Sequence, residues 1–350
     1  MDEITLKAEL QSLGLRLDIG AGTRRGGAGP SEGVSLRLGG LEATVPTAAA
    51  FAASSPFRLV RQDGLCSVVR EGREPAAAEL PEEPAFYRES TSCGVPMRMI
   101  ALRHSSLCIG STALQACSRR PRCSFCAIDL SLRQGLTIAR KTPVQLGETA
   151  AAAAREGFLH AVLTSGTPHD EEEGLRRLGD CLSAVREAGL AVQVQCEPPR
   201  RLDLLEELAA RSDSIGIHVE SWDQSVRERV APGKCDRSLD DYREAWRKAV
   251  ELWGAGQVSS FLIVGLGESD RSVLEGARVM AEMGVYPFVL PLRPVPGTPL
   301  GEASPPRPRR MMRLYEEVAC IVESQGLSAA DARAGCVRCG ACSCITDITG

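Results

Sequence analysis

From residue 95 onward, short apolar runs alternate with longer amphipathic ones, and this alternation limits the possible folds more than any other feature of the chain. The apolar runs fall at Met97–Leu102, Phe158–Thr164, Leu190–Cys196, Ser214–Val219, Val258–Val264 and Pro287–Leu292. The segments between them carry helix signals. One begins at Thr142-Pro143, an N-cap followed by proline at the first helical position, and stops at Gly157. Strands separated by helices cannot pair as hairpins. Each helix must cross back over the sheet, so successive strands run parallel. Six such units predict an α/β fold in which residues 95–305 form a parallel sheet, either open or curled into a partial (β/α)6 TIM-like barrel.

The flanks read differently. Residues 1–94 form an N-terminal extension with a Gly-rich stretch, Gly20 to Gly33, and two hairpins turning at Gly39-Gly40 and Asp63-Gly64. Ala76 to Pro84, rich in Ala, Pro and Glu, reads as a linker into the barrel. Residues 306–350 hold a helix from about Arg309 to Gln325 and then a cysteine-rich tail. With 41 Lys+Arg against 45 Asp+Glu, the chain lacks the basic footprint of a nucleic-acid binder. No apolar run approaches the ~18 residues that span a bilayer, and the start lacks the charged and apolar regions of a signal peptide. The expectation is a cytoplasmic protein with neither nucleic acid nor membrane as partner.

In that compartment 14 cysteines argue for metal rather than disulfides. Cys117, Cys123 and Cys126 lie in a C-x5-C-x2-C loop directly after the first predicted strand, where β/α folds place their chemistry. Three thiolates hold three irons of a [4Fe–4S] cluster and leave the fourth iron open to a ligand. On spacing alone, half of a structural zinc site completed by Cys108 or His104 stands equal with it. The tail packs Cys336, Cys339, Cys342 and Cys344 into nine residues. That C-x2-C-x2-C run suits an auxiliary iron–sulfur cluster near the barrel mouth, with zinc or a disordered end as alternatives.

A three-cysteine loop after strand one, with Phe125 just before the last cysteine and β/α units following, resembles the radical S-adenosylmethionine (SAM) superfamily. The usual spacing there is C-x3-C-x2-C, from which this loop departs. Ile263-Val264-Gly265-Leu266-Gly267-Glu268 and Gly297-Thr298-Pro299-Leu300 are similar to strand-end motifs of biotin synthase and its relatives. Gly216 to Ser221, and Gly335-Cys336 onward, resemble an uncharacterised radical SAM branch usually encoded beside a nitrilase.

The resemblance implies a [4Fe–4S] cluster on Cys117, Cys123 and Cys126 that reductively cleaves SAM to a 5′-deoxyadenosyl radical. That radical takes hydrogen from a small-molecule substrate, with nitrile-related metabolism as one source, and flavodoxin or ferredoxin supplies the electron. It further implies that Phe125, Ile263, Gly265 and Glu268 line the cofactor site, and that Thr164-Ser165-Gly166-Thr167 meets the SAM amine, unless that tetrapeptide is a plain turn. Glu220 would hold the ribose hydroxyls, with His218, Glu220 and Trp222 alternating on one face of a strand end. Lys234, with Arg237 nearby, would face the SAM carboxylate. His218 would hold or protonate substrate, a core histidine being the other reading. Arg293 would face an anionic substrate group or pair with Glu302. Biotin synthase carries its sulfur-donating cluster on strand cysteines inside the barrel. Here only Cys196 occupies such a place, so no internal sulfur donor is expected. The rival to the enzyme is a non-catalytic, zinc-stabilised β/α binding protein.

Overall fold

The computed structural model describes residues 2–18, 24–25, 32–73 and 75–349. Six parallel strands form the central sheet: β1 (Cys108–Thr112), β2 (His160–Thr164), β3 (Ala191–Cys196), β4 (Ser214–Ile217), β5 (Val258–Val264) and β6 (Val285–Pro291). They lie side by side in chain order, and a short strand, Leu102–Arg103, runs antiparallel to β1. The sheet curls into a half-barrel with β6 near one edge and β1 near the other. Cys108 pairs with His160 and His160 with Ala191, while Thr112 pairs with Thr164 and Thr164 with Gln195. The starts of these strands therefore form one rim and their ends the other.

Side chains alternate across the sheet. Ile109, Leu163, Val194, Ile217 and Leu262 belong to the main core, packed beneath the helices. The opposite face is polar: Gln193 Nε2 donates to Ser259 Oγ (3.4 Å), and His218 stacks on Phe261 with ring centroids 3.6 Å apart. The helix Pro143–Arg155 begins as expected, with Thr142 and Gln145 bonding each other's backbone in a capping box.

The first strand departs from expectation. Met97–Leu102 begins with a 3-10 turn, Met97–Met99, set up by Pro96, and the parallel strand is Cys108–Thr112 instead. Its residues, Cys-Ile-Gly-Ser-Thr, are weakly apolar. They are all buried nonetheless, because a parallel strand is covered on both faces. Ala76 to Pro84 is not simply a linker either. Ala76–Ala78 forms an edge strand on Leu65–Val69, and Glu79 exchanges backbone hydrogen bonds with Arg37.

The N-terminal extension carries both expected hairpins, Glu32–Leu38 with Leu41–Val45 and Arg58–Gln62 with Leu65–Val69. It has a small core of its own around Leu10, Leu36, Phe57 and Leu59. Within the Gly-rich stretch, Arg24-Arg25 pairs with Glu32-Gly33, and the rest falls largely outside the described residues.

The helix Pro308–Ser324 leads into the tail, which does not approach the strand ends that carry the Cys117 loop. It crosses the rim formed by the strand starts. Gln257 holds the backbone of Asp331 and Arg333 (2.8 and 3.0 Å), Ser214 Oγ donates to Ala334 O (3.0 Å), and Gly335 N donates to His160 Nδ1 (3.2 Å). Polar side chains at the strand starts supply what the tail's buried backbone needs, and this places it there. Gly335 has φ of 90°, and a Cβ on it would overlap the Gln193 side chain.

Candidate active site at the strand ends

The loop after β1 is braced by the end of β2. Ala113 N donates to Thr164 O (2.8 Å), Gly166 N to Leu114 O (2.8 Å) and Ser118 N to Thr167 O (2.8 Å). A Cβ on Gly166 would overlap the carbonyl of Ala116, so glycine is what lets these segments touch. Further along, Ser124 N donates to Val230 O (2.7 Å) and Leu300 N to Ser124 O (3.0 Å). The Gly297–Leu300 motif thus supports the cysteine loop directly. Phe125, Cys123 and Ile263 pack together around Val230 and Leu292.

Charge converges at the same rim. Lys234 Nζ donates to Glu220 Oε1 at 3.0 Å. Burial by itself would lower the lysine, but Glu220 and then Cys123 hold it well above its ordinary value. Glu220 sits at φ 68°, a left-handed conformation a glutamate rarely takes, and its backbone bonds Phe261 O and Ile263 N on β5 (3.1 and 2.8 Å). Burial pushes the Cys123 thiol up to about 12, with Glu220 and Cys126 adding to that and Lys234 opposing it. A thiol so placed gives up its proton to a metal ion rather than to water.

Two site residues went unnoticed in the sequence. Glu197, just after β3, accepts from Thr167 Oγ1 (2.9 Å) and from Arg119 Nε (3.1 Å), while Arg119 also pairs with Asp236 (2.8 Å). Burial would raise the Glu197 carboxyl, but Lys234 and Arg119 hold it below its ordinary value. The available signal was a carboxylate directly after an apolar run, as Glu220 follows the run Ser214–Val219.

Other candidates are engaged elsewhere. Both Glu268 oxygens accept backbone N–H groups, from Gly265 and Leu266 (2.8 Å each), and the carboxylate pairs with Arg310 (2.9 Å). Glu268 therefore closes the turn after β5, with Gly265 at φ 110°. Arg237 is bonded to Pro198 O, Asp236 and Glu171, away from Lys234. Arg293 neither pairs with Glu302 nor faces the strand ends; it donates to Glu32 O and Thr44 O of the N-terminal hairpin (3.5 and 3.0 Å). Trp222 leaves the expected face, because the Glu220 bend turns it outward against Gly276 and Trp246.

His218 lies on the inner face. Its Nδ1 accepts from Phe261 N (3.2 Å), its Nε2 is buried without a partner, and burial followed by the charge of Lys234 lowers it to about 3. The ring is neutral with its proton on Nε2, so it offers a hydrogen-bond donor and not an acid.

A second thiol group stands at the other rim. Cys339 hydrogen-bonds Cys108, and Cys336 and Cys342 lie close enough to raise Cys108 further beyond what burial does. Hydrogen bonds from Cys108, Ser105 and Ala341 N bring Cys339 down to about 7 against its burial. Cys344 is apart, 3.7 Å from Ile4 O and 3.8 Å from Gln11 Oε1. Cys108 and Thr112 are four residues and about 13 Å apart along β1, so neither Cys108 nor its neighbour His104 completes a zinc site with the Cys117 loop. Among the described residues no three His, Cys, Asp or Glu side chains are gathered as a single ion would hold them.

Fold and site together define a β/α half-barrel with three unpaired thiols, a buried lysine–glutamate pair and a neutral histidine at the strand ends. Residues 113–279 match the Radical SAM superfamily, and the chain carries a domain of that superfamily. It is 34% identical over 133 residues to bacteriochlorophyllide c C-7(1)-hydroxylase of Chlorobaculum limnaeum, covering 37% of this chain and 33% of that protein. It is 26% identical over 197 residues to lipoyl synthase of Thermus thermophilus, covering 53% and 57%. The chain thus spans between a third and somewhat over half of these curated relatives. A solved radical SAM methyltransferase from Sphaerobacter thermophilus aligns at TM-score 0.48 and 16% identity, over 78% of this chain and 75% of that one.

Proposed function

We propose that the protein is a radical SAM enzyme acting on a small-molecule substrate, with a [4Fe–4S] cluster held by Cys117, Cys123 and Cys126. The observation that carries this is the neighbourhood of three unpaired thiols, Cys117, Cys123 and Cys126, beside the Lys234–Glu220 pair at the strand ends. Three thiolates leave one iron for SAM, and the bound pair supplies a one-electron cleavage of SAM that ends in hydrogen abstraction from substrate.

The chain's own residues do the positioning. Thr164 to Thr167 fix the loop backbone at the rim, and Phe125 and Ile263 exclude water on the Cys123 side. Lys234 takes one oxygen of Glu220, leaving the second for the ribose hydroxyls, and offsets the negative charge of the thiolates. His218 Nε2–H holds an acceptor atom of substrate within the polar half-barrel. As a neutral ring it does not protonate the substrate. The electron comes from a flavodoxin or ferredoxin, and a reducing cytoplasm suits unpaired cluster thiols.

A non-catalytic zinc protein is the weaker reading, since among the described residues no three His, Cys, Asp or Glu side chains are gathered around one ion's position. The test is anaerobic reconstitution followed by SAM cleavage under reducing conditions. Wild type should form 5′-deoxyadenosine and a Cys123→Ala variant none. Full product from that variant overturns the assignment.

A further inference from the structure

The tail is anchored as a built element. Lys7 Nζ donates to Gly340 O (2.9 Å) and to Asp347 Oδ2 (2.7 Å), Gln11 Nε2 donates to Ala341 O (3.0 Å), and Ser343 Oγ bonds Val289 O. Thr44 N reaches Ala341 O (2.7 Å). This framework turns three of the four tail thiols toward Cys108 and sends the fourth, Cys344, into the N-terminal helix. Around the group, donors point at sulfur. Gln195 Nε2 lies 3.3 Å from Cys336 Sγ, Ser105 and Ala341 N meet Cys339, and Gln193 fixes the turn by accepting from Cys336 N (3.2 Å). Neutral thiols are weak hydrogen-bond acceptors, and four neighbouring thiols, two of which receive amide or hydroxyl donors, suit anionic sulfur.

We propose that Cys108, Cys336, Cys339 and Cys342 ligate a second iron–sulfur cluster, of the [4Fe–4S] type, at the rim opposite the SAM site. Cys344 is not a ligand. Four thiolates leave no open iron, so this cluster does not bind substrate or SAM. It differs from the first in that respect and is suited to holding or passing single electrons while it clamps the tail to β1. The four ligands come from the strand start and the chain end, 228 positions apart at the nearest by the residue numbers of Cys108 and Cys336, so the site closes only in the folded chain. The proposal goes beyond the assignment of the Cys117 loop and does not depend on it.

The experiment uses a background in which Cys117, Cys123 and Cys126 are all Ala, which removes the first site. Anaerobically reconstituted with iron and sulfide, this background should retain about four irons and four sulfides per chain and an electron paramagnetic resonance signal on reduction. Adding Cys108→Ser or Cys336→Ser should remove at least half of that iron, and adding Cys344→Ser should leave it. Should the serine variants fail to fold, Gln195→Leu carries the test. It retains the iron but loses a donor to the cluster sulfur, so the midpoint potential should move negative. A background with no iron, one zinc per chain, iron lost with Cys344 but kept without Cys108, or an unmoved potential in Gln195→Leu each overturn the proposal. Failure of SAM cleavage in the wild type would count against the enzyme reading and leave these iron counts as they are.

Discussion

Replacing Glu220 by Ala separates its two roles. In the protein alone the carboxylate neutralises Lys234, whose side chain is only 18% exposed, across 3.0 Å. Removing one partner of a buried pair costs about 3–5 kcal/mol, because the other charge is stranded. Over 350 residues, at about 2.1 cal/mol/K per residue, that lowers Tm by about 4–7 °C. With SAM present the variant also loses the hydroxyl contacts of the second oxygen. A hydrogen bond to a charged group is worth about 1.5–3 kcal/mol, which weakens SAM by a factor of about 10–150. Titration calorimetry on anaerobically reconstituted protein, with iron content measured alongside, reads the second effect. Differential scanning reads the first. Pairing Glu220→Ala with Lys234→Met should recover most of the Tm and none of the SAM affinity, since methionine leaves no charge to strand. An unchanged SAM affinity with intact iron would assign Glu220 to structure alone and refute the ribose contact.

Lys7→Met should strand Asp347, whose side chain is 11% exposed, and destabilise the tail by about 3–5 kcal/mol; urea unfolding should show the loss largely repaired by adding Asp347→Asn. Gly335→Ala forces a side chain into φ 90° and into Gln193, and should lower the Tm and loosen the tail, visible as faster proteolysis after Gly326; equal proteolysis rates would contradict the packing. His218, near 3 when folded against about 6.5 when unfolded, contributes stability that is fully present above about pH 6.5 and is lost as pH falls toward 3. At pH 5 its share of that loss is about 2 kcal/mol, so His218→Gln should show a correspondingly smaller fall in urea midpoint between pH 7.5 and pH 5. The same fall in both proteins would place the titration elsewhere.

The parallel architecture was legible because helix caps such as Thr142-Pro143 and the apolar runs at β2 to β6 are local signals that agree with the global fold. The strand β1 was not, since Cys-Ile-Gly-Ser-Thr scores poorly by composition while Met97–Leu102 scores well and is broken by Pro96. That one displacement had a chemical consequence. With the strand set ten residues too early, Cys108 read as a loop thiol and not as an inward strand cysteine. Spacing likewise groups Cys344 with Cys342, whereas the backbone after Cys342 turns its neighbour toward Gln11. Glu268 is a motif carboxylate whose two oxygens accept from the backbone of its own turn. Spacing shows which residues are near in the chain, and only the paths of strands and tail decide which of them face one another.

The two thiol groups occupy opposite rims of one sheet, and what lies between them has a physical meaning. The inner face from Cys108 upward carries Gln193, Gln195, Ser259 and His218, polar groups where a closed core would place aliphatic ones. Most of them bond one another or the tail: Gln195 Nε2 reaches both Gln193 Oε1 (3.1 Å) and Cys336 Sγ (3.3 Å). His218 Nε2 is the group of that set left buried without a partner, and it belongs to the residue two positions before Glu220. An unsatisfied buried donor costs about 1–3 kcal/mol unless a ligand meets it. A chain that keeps this donor at the upper end of a satisfied polar column, between the Lys234–Glu220 pair and the tail thiols, is arranged to recover that cost when substrate binds. This is the reason His218, rather than the better-paired glutamines below it, is assigned to substrate.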